Sequence, residues 1–147
     1  DSISNADYAF PLAIVPLALG EEPLWLAVFA LMAWSLAKHT YDAIQDIEED
    51  EFVGIKTTAV YLGTKKSLVW VGFWWLVSSV MFAFVNIPLA IANAVYAGWL
   101  IWLISRDNSA KNAKLVYKYS VAFPYVVGTV AGFQIVASIT LSMLNVW

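Results

Sequence analysis

The sequence predicts an all-α protein, an integral membrane helical bundle with about five transmembrane helices. Three observations carry that prediction. Hydrophobic residues make up 61% of the 147, charged residues only 13%, and the mean hydropathy is +0.71; soluble domains run about 45–50% apolar and about 25% charged. The apolar runs are long, continuous and non-alternating, which excludes the strands of a membrane barrel. Finally, all eight Lys and Arg residues fall within two stretches, 38–66 and 106–118, that separate those runs.

A helix crosses the bilayer core with about 20 largely apolar residues, in a range of about 17–25. Tyr8 to Leu19 is apolar but short, with Pro11 and Pro16 inside, and suits a kinked first span beginning near Ser4. Leu24 to Lys38 is the second, continuing as helix into a polar segment. Ser67 to Val85 and Leu89 to Ile104 are the third and fourth. The fifth runs from about Tyr119 to Leu144, where Pro124, Gly128 and Gly132 predict a kink and close helix contacts. Gly20-Glu21-Glu22-Pro23 and Asn86-Ile87-Pro88 are tight turns; Thr40 to Lys66 and Arg106 to Lys118 are long connections. Alternating spans place both long connections and all the basic residues on one side. The positive-inside rule makes that side cytoplasmic, and the plasma membrane of a prokaryote is the expected location. Trp25 and Trp147 stand where an interfacial aromatic belt is expected, and Trp74, Trp75, Trp99 and Trp102 lie in or near spans. The start at Asp1 is acidic and carries no basic signal-peptide region; the chain reads as the C-terminal part of something longer.

The chemistry concentrates in residues 41–63. There is no Cys and a single His, His39, so thiolate sites and multi-His metal clusters are excluded. Asp42, Asp46 and Asp50 recur every four residues with Glu49 beside them. On one helix that spacing forms a row along a single face. Carboxylates in a row repel unless neutralised, and Mg²⁺ is a natural neutraliser because it takes carboxylate oxygens, keeps waters and bridges to phosphate. Downstream, Gly54 permits a turn or a close approach to an anion, Lys56 offers a point charge, and Thr57 and Thr58 offer hydroxyls. Gln45 could orient a metal-bound water. Against this stands a plainer account, a solvated acidic face with Lys56 as an interfacial anchor; Glu48 and Glu51 fit that account best. The aromatics divide the same way, between lipid-facing packing and a cavity wall that stabilises a carbocation by about 2 kcal/mol or more per desolvated ring.

Residues 45–63, QDIEEDEFVGIKTTAVYLG, resemble the second aspartate-rich motif of the UbiA superfamily of intramembrane prenyltransferases. Asp46 and Asp50 match its aspartate pair, and Gly54, Lys56, Thr57, Thr58, Ala59 and Gly63 match the positions that follow. Asp42 precedes the usual pair. The resemblance implies a fold of nine transmembrane helices around a cavity, of which this chain would supply the fifth to the ninth. The family's first motif, Asn-x3-Asp-x3-Asp, has no equivalent here, so the chain alone carries half a site and is expected to be inactive by itself. The implied reaction is Mg²⁺-dependent transfer of a prenyl group from a prenyl diphosphate to a hydrophobic acceptor within the membrane. Asp46, Asp50 and Lys56 would be catalytic, Asp46, Asp50 and Asp42 would hold metal, and Lys56, Thr57 and Gly54 would bind diphosphate. The implied partners are those two substrates and membrane lipid, with no nucleic acid. The opening Asp1-Ser2-Ile3-Ser4 and the stretch Lys38 to Asp46 resemble the lycopene elongase branch, which favours a carotenoid or isoprenoid acceptor and a C5 donor over a hydroxybenzoate- or naphthoate-type acceptor. Two other classes stay open: a non-catalytic membrane subunit, and a cation channel with an acidic vestibule. The spans hold almost no ionisable residues, which counts against conduction.

Overall fold

The computed structural model describes residues 3–144. Asp1, Ser2 and Trp147, which entered the sequence argument, lie outside them. The described residues are helical throughout, without strands. A 3-10 stretch, Ile3–Ala9, leads into α1 (Phe10–Ala18), followed by α2 (Trp25–Ala43), a 3-10 turn (Ile44–Asp46), α3 (Ile47–Val53), α4 (Thr58–Ala83), α5 (Ile87–Arg106) and α6 (Ala110–Leu144). The five expected rods are present. Three of them, α4, α5 and α6, are long and apolar enough to cross a membrane. α1 has nine residues, and α2 ends in the polar residues Lys38 to Asp42.

Two expectations change. The stretch 106–118 is mostly helix, because α6 starts at Ala110 and reaches Lys118 before the apolar run begins. The reason is a compact set of side-chain caps. Ser109 N–H donates to Asp107 Oδ1 (2.9 Å), Asn112 N–H donates to Ser109 Oγ (3.2 Å), and Asn112 Nδ2 donates to the carbonyls of Leu103 (3.0 Å) and Asp107 (2.7 Å). Together they occupy donors and acceptors that a helix end leaves open. The second change concerns close contacts and the place of a backbone break. α6 runs as one helix through Pro124, and a Cβ placed at Gly128 or Gly132 meets nothing within 4 Å. The break lies instead in α4, at Gly63, whose φ of 69° and ψ of 165° are not helical.

The other helix starts follow local chemistry. Thr57 caps α4 by accepting from Val60 N–H (3.1 Å), and Asn86 caps α5 by accepting from Leu89 N–H (2.9 Å). Antiparallel neighbours then pack in sequence, α2 on α4, α4 on α5 and α5 on α6. The core they share holds Tyr41, Val71, Trp75, Leu100, Ile104 and Phe123, all nearly or fully buried. Tyr41 donates its hydroxyl to the Leu100 carbonyl (2.9 Å), so its one polar atom is satisfied inside the bundle. The burial is uneven: the apolar stretch of α6 is unburied within this chain.

Candidate functional site

The acidic segment is not one helix. α2 stops at Ala43, the 3-10 turn covers Ile44–Asp46, and α3 resumes at Ile47. A 3-10 turn advances 3.0 residues per turn against 3.6, so three residues swing the following face by about 60°. The single row of three aspartates therefore divides. Asp42 sits at the end of α2. Its Oδ1 accepts from Ser120 Oγ of α6 (2.8 Å) and its Oδ2 is ion-paired with Lys38 one turn earlier. Asp46 and Asp50 stay together. Partial burial first, then the nearby charges of Asp50 and Glu49, push the Asp46 carboxyl above the usual aspartate range; Lys114 and a hydrogen bond from Gln45 pull the other way. Asp42 has no place among these influences. Glu48 and Glu51 are exposed, as a solvated face requires.

Next the chain turns sharply. Gly54 takes the left-handed conformation (φ 77°), its N–H donating to Glu51 O (3.2 Å) while Ile55 N–H donates to Asp50 O (2.8 Å). This is the paired closure that ends many helices at glycine. It delivers Lys56 and Thr57 to the head of α4. Lys56 is exposed; Thr57 uses its oxygen as the cap and keeps its hydroxyl hydrogen for another acceptor. Both line a hollow of about 430 Å³ with Thr58, Tyr61, Leu62 and Trp70, in which neither Asp46 nor Asp50 takes part. So the chain joins the aspartate pair and the Lys56 loop in sequence, through one glycine turn, without placing them in one cavity.

A larger cavity, about 630 Å³, opens between α2 and α6. Trp34, Tyr8 and Tyr125 supply aromatic wall, and Lys38, His39 and Asp42 supply its charged or titratable groups. Behind that wall the aromatic rings interlock. Phe123 meets Trp34 and Trp75 edge-on (both 5.3 Å between centroids), and Tyr96 lies 4.8 Å from Phe123. Such edge-on pairs are worth about 0.5–1.5 kcal/mol each beyond their area.

Three side chains enter the site that the sequence reading had not placed there. Lys38 stands four residues before Asp42, a spacing that signals a helical ion pair, so it was legible. Ser120 is 78 residues from Asp42, and Lys114, which pairs with Glu49, is 65 residues away; no local pattern marks either.

Among the described residues, no three His, Asp or Glu side chains gather into a metal cage. The residues present nevertheless suit Mg²⁺, which is ordinarily held by one or two carboxylates plus waters and substrate phosphates. Asp46 and Asp50 are two hard oxygen donors whose mutual repulsion a cation relieves.

Fold and site together define a membrane-embedded helical bundle with an acidic polar end and an aromatic cavity. Comparison with known proteins gives the family. Residues 5–123 match the UbiA prenyltransferase family, and the chain belongs to it. A lycopene elongase/hydratase of Haloferax volcanii is 30% identical over 146 residues, 99% of this chain and 46% of that protein. The lycopene elongase/hydratase of Halobacterium salinarum is 37% identical over 97 residues, 65% of this chain and 35% of that protein. A 4-hydroxybenzoate octaprenyltransferase of Azotobacter vinelandii is 40% identical over 58 residues, 38% of this chain and 19% of that protein. The chain thus spans less than half the length of these relatives. No solved structure matches.

Proposed function

We propose that this chain forms the second half-site of a Mg²⁺-dependent prenyltransferase that moves a prenyl group from its diphosphate to a hydrophobic acceptor inside the membrane. The observation that carries this reading is the Asp46–Asp50 pair, partly buried and mutually repelling, one glycine turn before Lys56 and Thr57. Asp46 and Asp50 would hold the metal, and Lys56, the Thr57 hydroxyl and the backbone at Gly54 would receive the diphosphate. Asp42 is left out of the metal set, because the Lys38 ammonium paired with it repels a cation. The bound cation would supply charge neutralisation for the departing diphosphate. Lys56 adds a point charge where negative charge grows on the leaving oxygen. Gln45 orients Asp46 by hydrogen bonding. The aromatic rings lining the cavity would stabilise the allylic cation. The polar end faces the cytoplasm, since it carries all the Lys and Arg residues.

For the acceptor, the two lycopene elongase/hydratase relatives match more of this chain than the hydroxybenzoate enzyme does, and they favour a carotenoid or other isoprenoid. The hydroxybenzoate relative, at 40% identity over its shorter match, keeps an aromatic acceptor as the second reading. The test is Mg²⁺-dependent diphosphate release from dimethylallyl and longer prenyl diphosphates, by membranes bearing the protein with its upstream half-site, with lycopene or 4-hydroxybenzoate offered separately. Prenylated product with one of them supports the reading and selects the acceptor class. Failure of both Mg²⁺ and diphosphate to bind the folded protein would return it to a non-catalytic membrane subunit.

A further inference from the structure

We infer that Asp42 is the proton acceptor that ends the reaction in the α2–α6 cavity, rather than a third metal ligand; this rests on the prenyl-transfer reading above. The cavity of about 630 Å³ is lined by ten described residues, and Asp42 is the one carboxylate among them. It is held from two sides. Lys38 and Asp42 are 14% and 26% exposed and ion-paired, and Ser120 Oγ reaches across from α6 to the other carboxylate oxygen at 2.8 Å. An aspartate already neutralised by an ammonium gains little from a divalent cation, and that ammonium repels one. The same pairing suits a different task. Lys38 and Ser120 hold the carboxylate at the cavity wall, and Asp42 cancels a positive charge that would oppose a carbocation beside it.

The chemistry balances with the two substrates alone in one route and with one added water in the other. When a prenyl cation adds to an alkene of the acceptor, a C–C bond forms, diphosphate has left, and the positive charge moves to a tertiary carbon of the adduct. That charge is discharged in one of two ways. A neighbouring C–H gives its proton to the Asp42 carboxylate and its electron pair becomes a new C=C bond. Alternatively, a water oxygen bonds to the cation and Asp42 takes the water's proton, leaving a tertiary alcohol. Both need a base facing the cavity. His39 also lines the cavity, on the same turn of α2 as Lys38, and its variant separates it from Asp42 as the base.

The experiment uses membranes bearing the protein with its upstream half-site, dimethylallyl diphosphate and lycopene. It reads diphosphate released, prenylated product formed, and the end group of that product, alkene or alcohol. Asp42→Asn keeps an oxygen for Ser120 and removes the base. It is expected to lower product formation on the order of 10²-fold, the usual contribution of a positioned base. Diphosphate release should fall less, so product per diphosphate drops and the donor's own alcohol accumulates. Asp42→Glu should recover part of the product. Ser120→Ala removes the tie to α6 but not the carboxylate, and should cost stability without uncoupling product from diphosphate. Three results overturn the inference. One is an Asp42→Asn enzyme with unchanged product per diphosphate and unchanged end group. Another is equal uncoupling by Ser120→Ala. The third is uncoupling by His39→Gln but not by Asp42→Asn. Wild-type membranes that release no diphosphate with any acceptor defeat the underlying function itself, a distinct outcome.

Discussion

Gly63 is the position where a single methyl group tests both fold and site. Its φ of 69° and ψ of 165° fall in a region that is essentially restricted to glycine. A Cβ there would meet no atom within 4 Å, so no clash contributes and the whole cost of alanine is backbone strain. That cost is about 1–3 kcal/mol. Gly128 supplies the control. It lies inside α6, again with nothing within 4 Å of a Cβ, and there alanine should stabilise by about 0.5–1 kcal/mol through reduced backbone freedom in the unfolded chain. One chemical change thus has opposite signs at two open positions, with a gap of about 1.5–4 kcal/mol between them. Unfolding in mixed micelles, followed by tryptophan fluorescence, measures it. The break also sets where the Thr58–Leu62 turn points relative to the long span. If Gly63→Ala straightens α4, Lys56 and Thr57 shift relative to the Asp46–Asp50 pair. A displacement on the order of 1 Å costs about 10²-fold in rate, so diphosphate release should fall even where the protein stays folded. A Gly63→Ala protein as stable and as active as wild type would refute both the strain argument and the role of the break.

Four other outcomes follow from the same geometry. Asp46→Asn or Asp50→Asn should each remove several kcal/mol of charge stabilisation, about 10³-fold in turnover, with little loss of folded protein; activity retained by both would reject the metal role. Lys56→Ala should raise the apparent KM for the donor about 10- to 100-fold, the value of a hydrogen bond to a charged group, and leave the acceptor KM nearly unchanged. The Asp46 carboxyl stands above its usual range, so without metal this group contributes stability at acid pH that is lost as pH rises through its raised pKa; Mg²⁺ opposes that loss. Acid should therefore weaken Mg²⁺-dependent diphosphate release with a midpoint above the ordinary aspartate value of about 3.9, more Mg²⁺ should move the midpoint down, and a fixed midpoint would count against the assignment. Tyr41→Phe should cost about 0.5–1.5 kcal/mol, measured by unfolding in micelles, because it removes the hydroxyl that reaches the Leu100 carbonyl while leaving the ring in the core.

The sequence by itself determined the membrane class, the five helical rods, the polar end and the aspartate motif, because each depends on local composition or short spacing. Sixty-one per cent apolar content can be satisfied only by burial or lipid. Thr57, Asn86 and Gly54 act within three residues of themselves, so their capping roles follow from neighbours alone. Only the tertiary structure decided which groups meet across the bundle. Trp75 is buried against Tyr41 and Phe123 while Trp99 and Trp102 face outward, though all three read alike as span tryptophans. The spacing of Asp42, Asp46 and Asp50 suggested one row, and a 3-10 turn of three residues divided it. Asp42 then found Ser120 on α6, and Glu49 found Lys114. The physical reason is range: helix caps and repeats are fixed by adjacent backbone, whereas a carboxylate's partner is fixed by how distant helices pack.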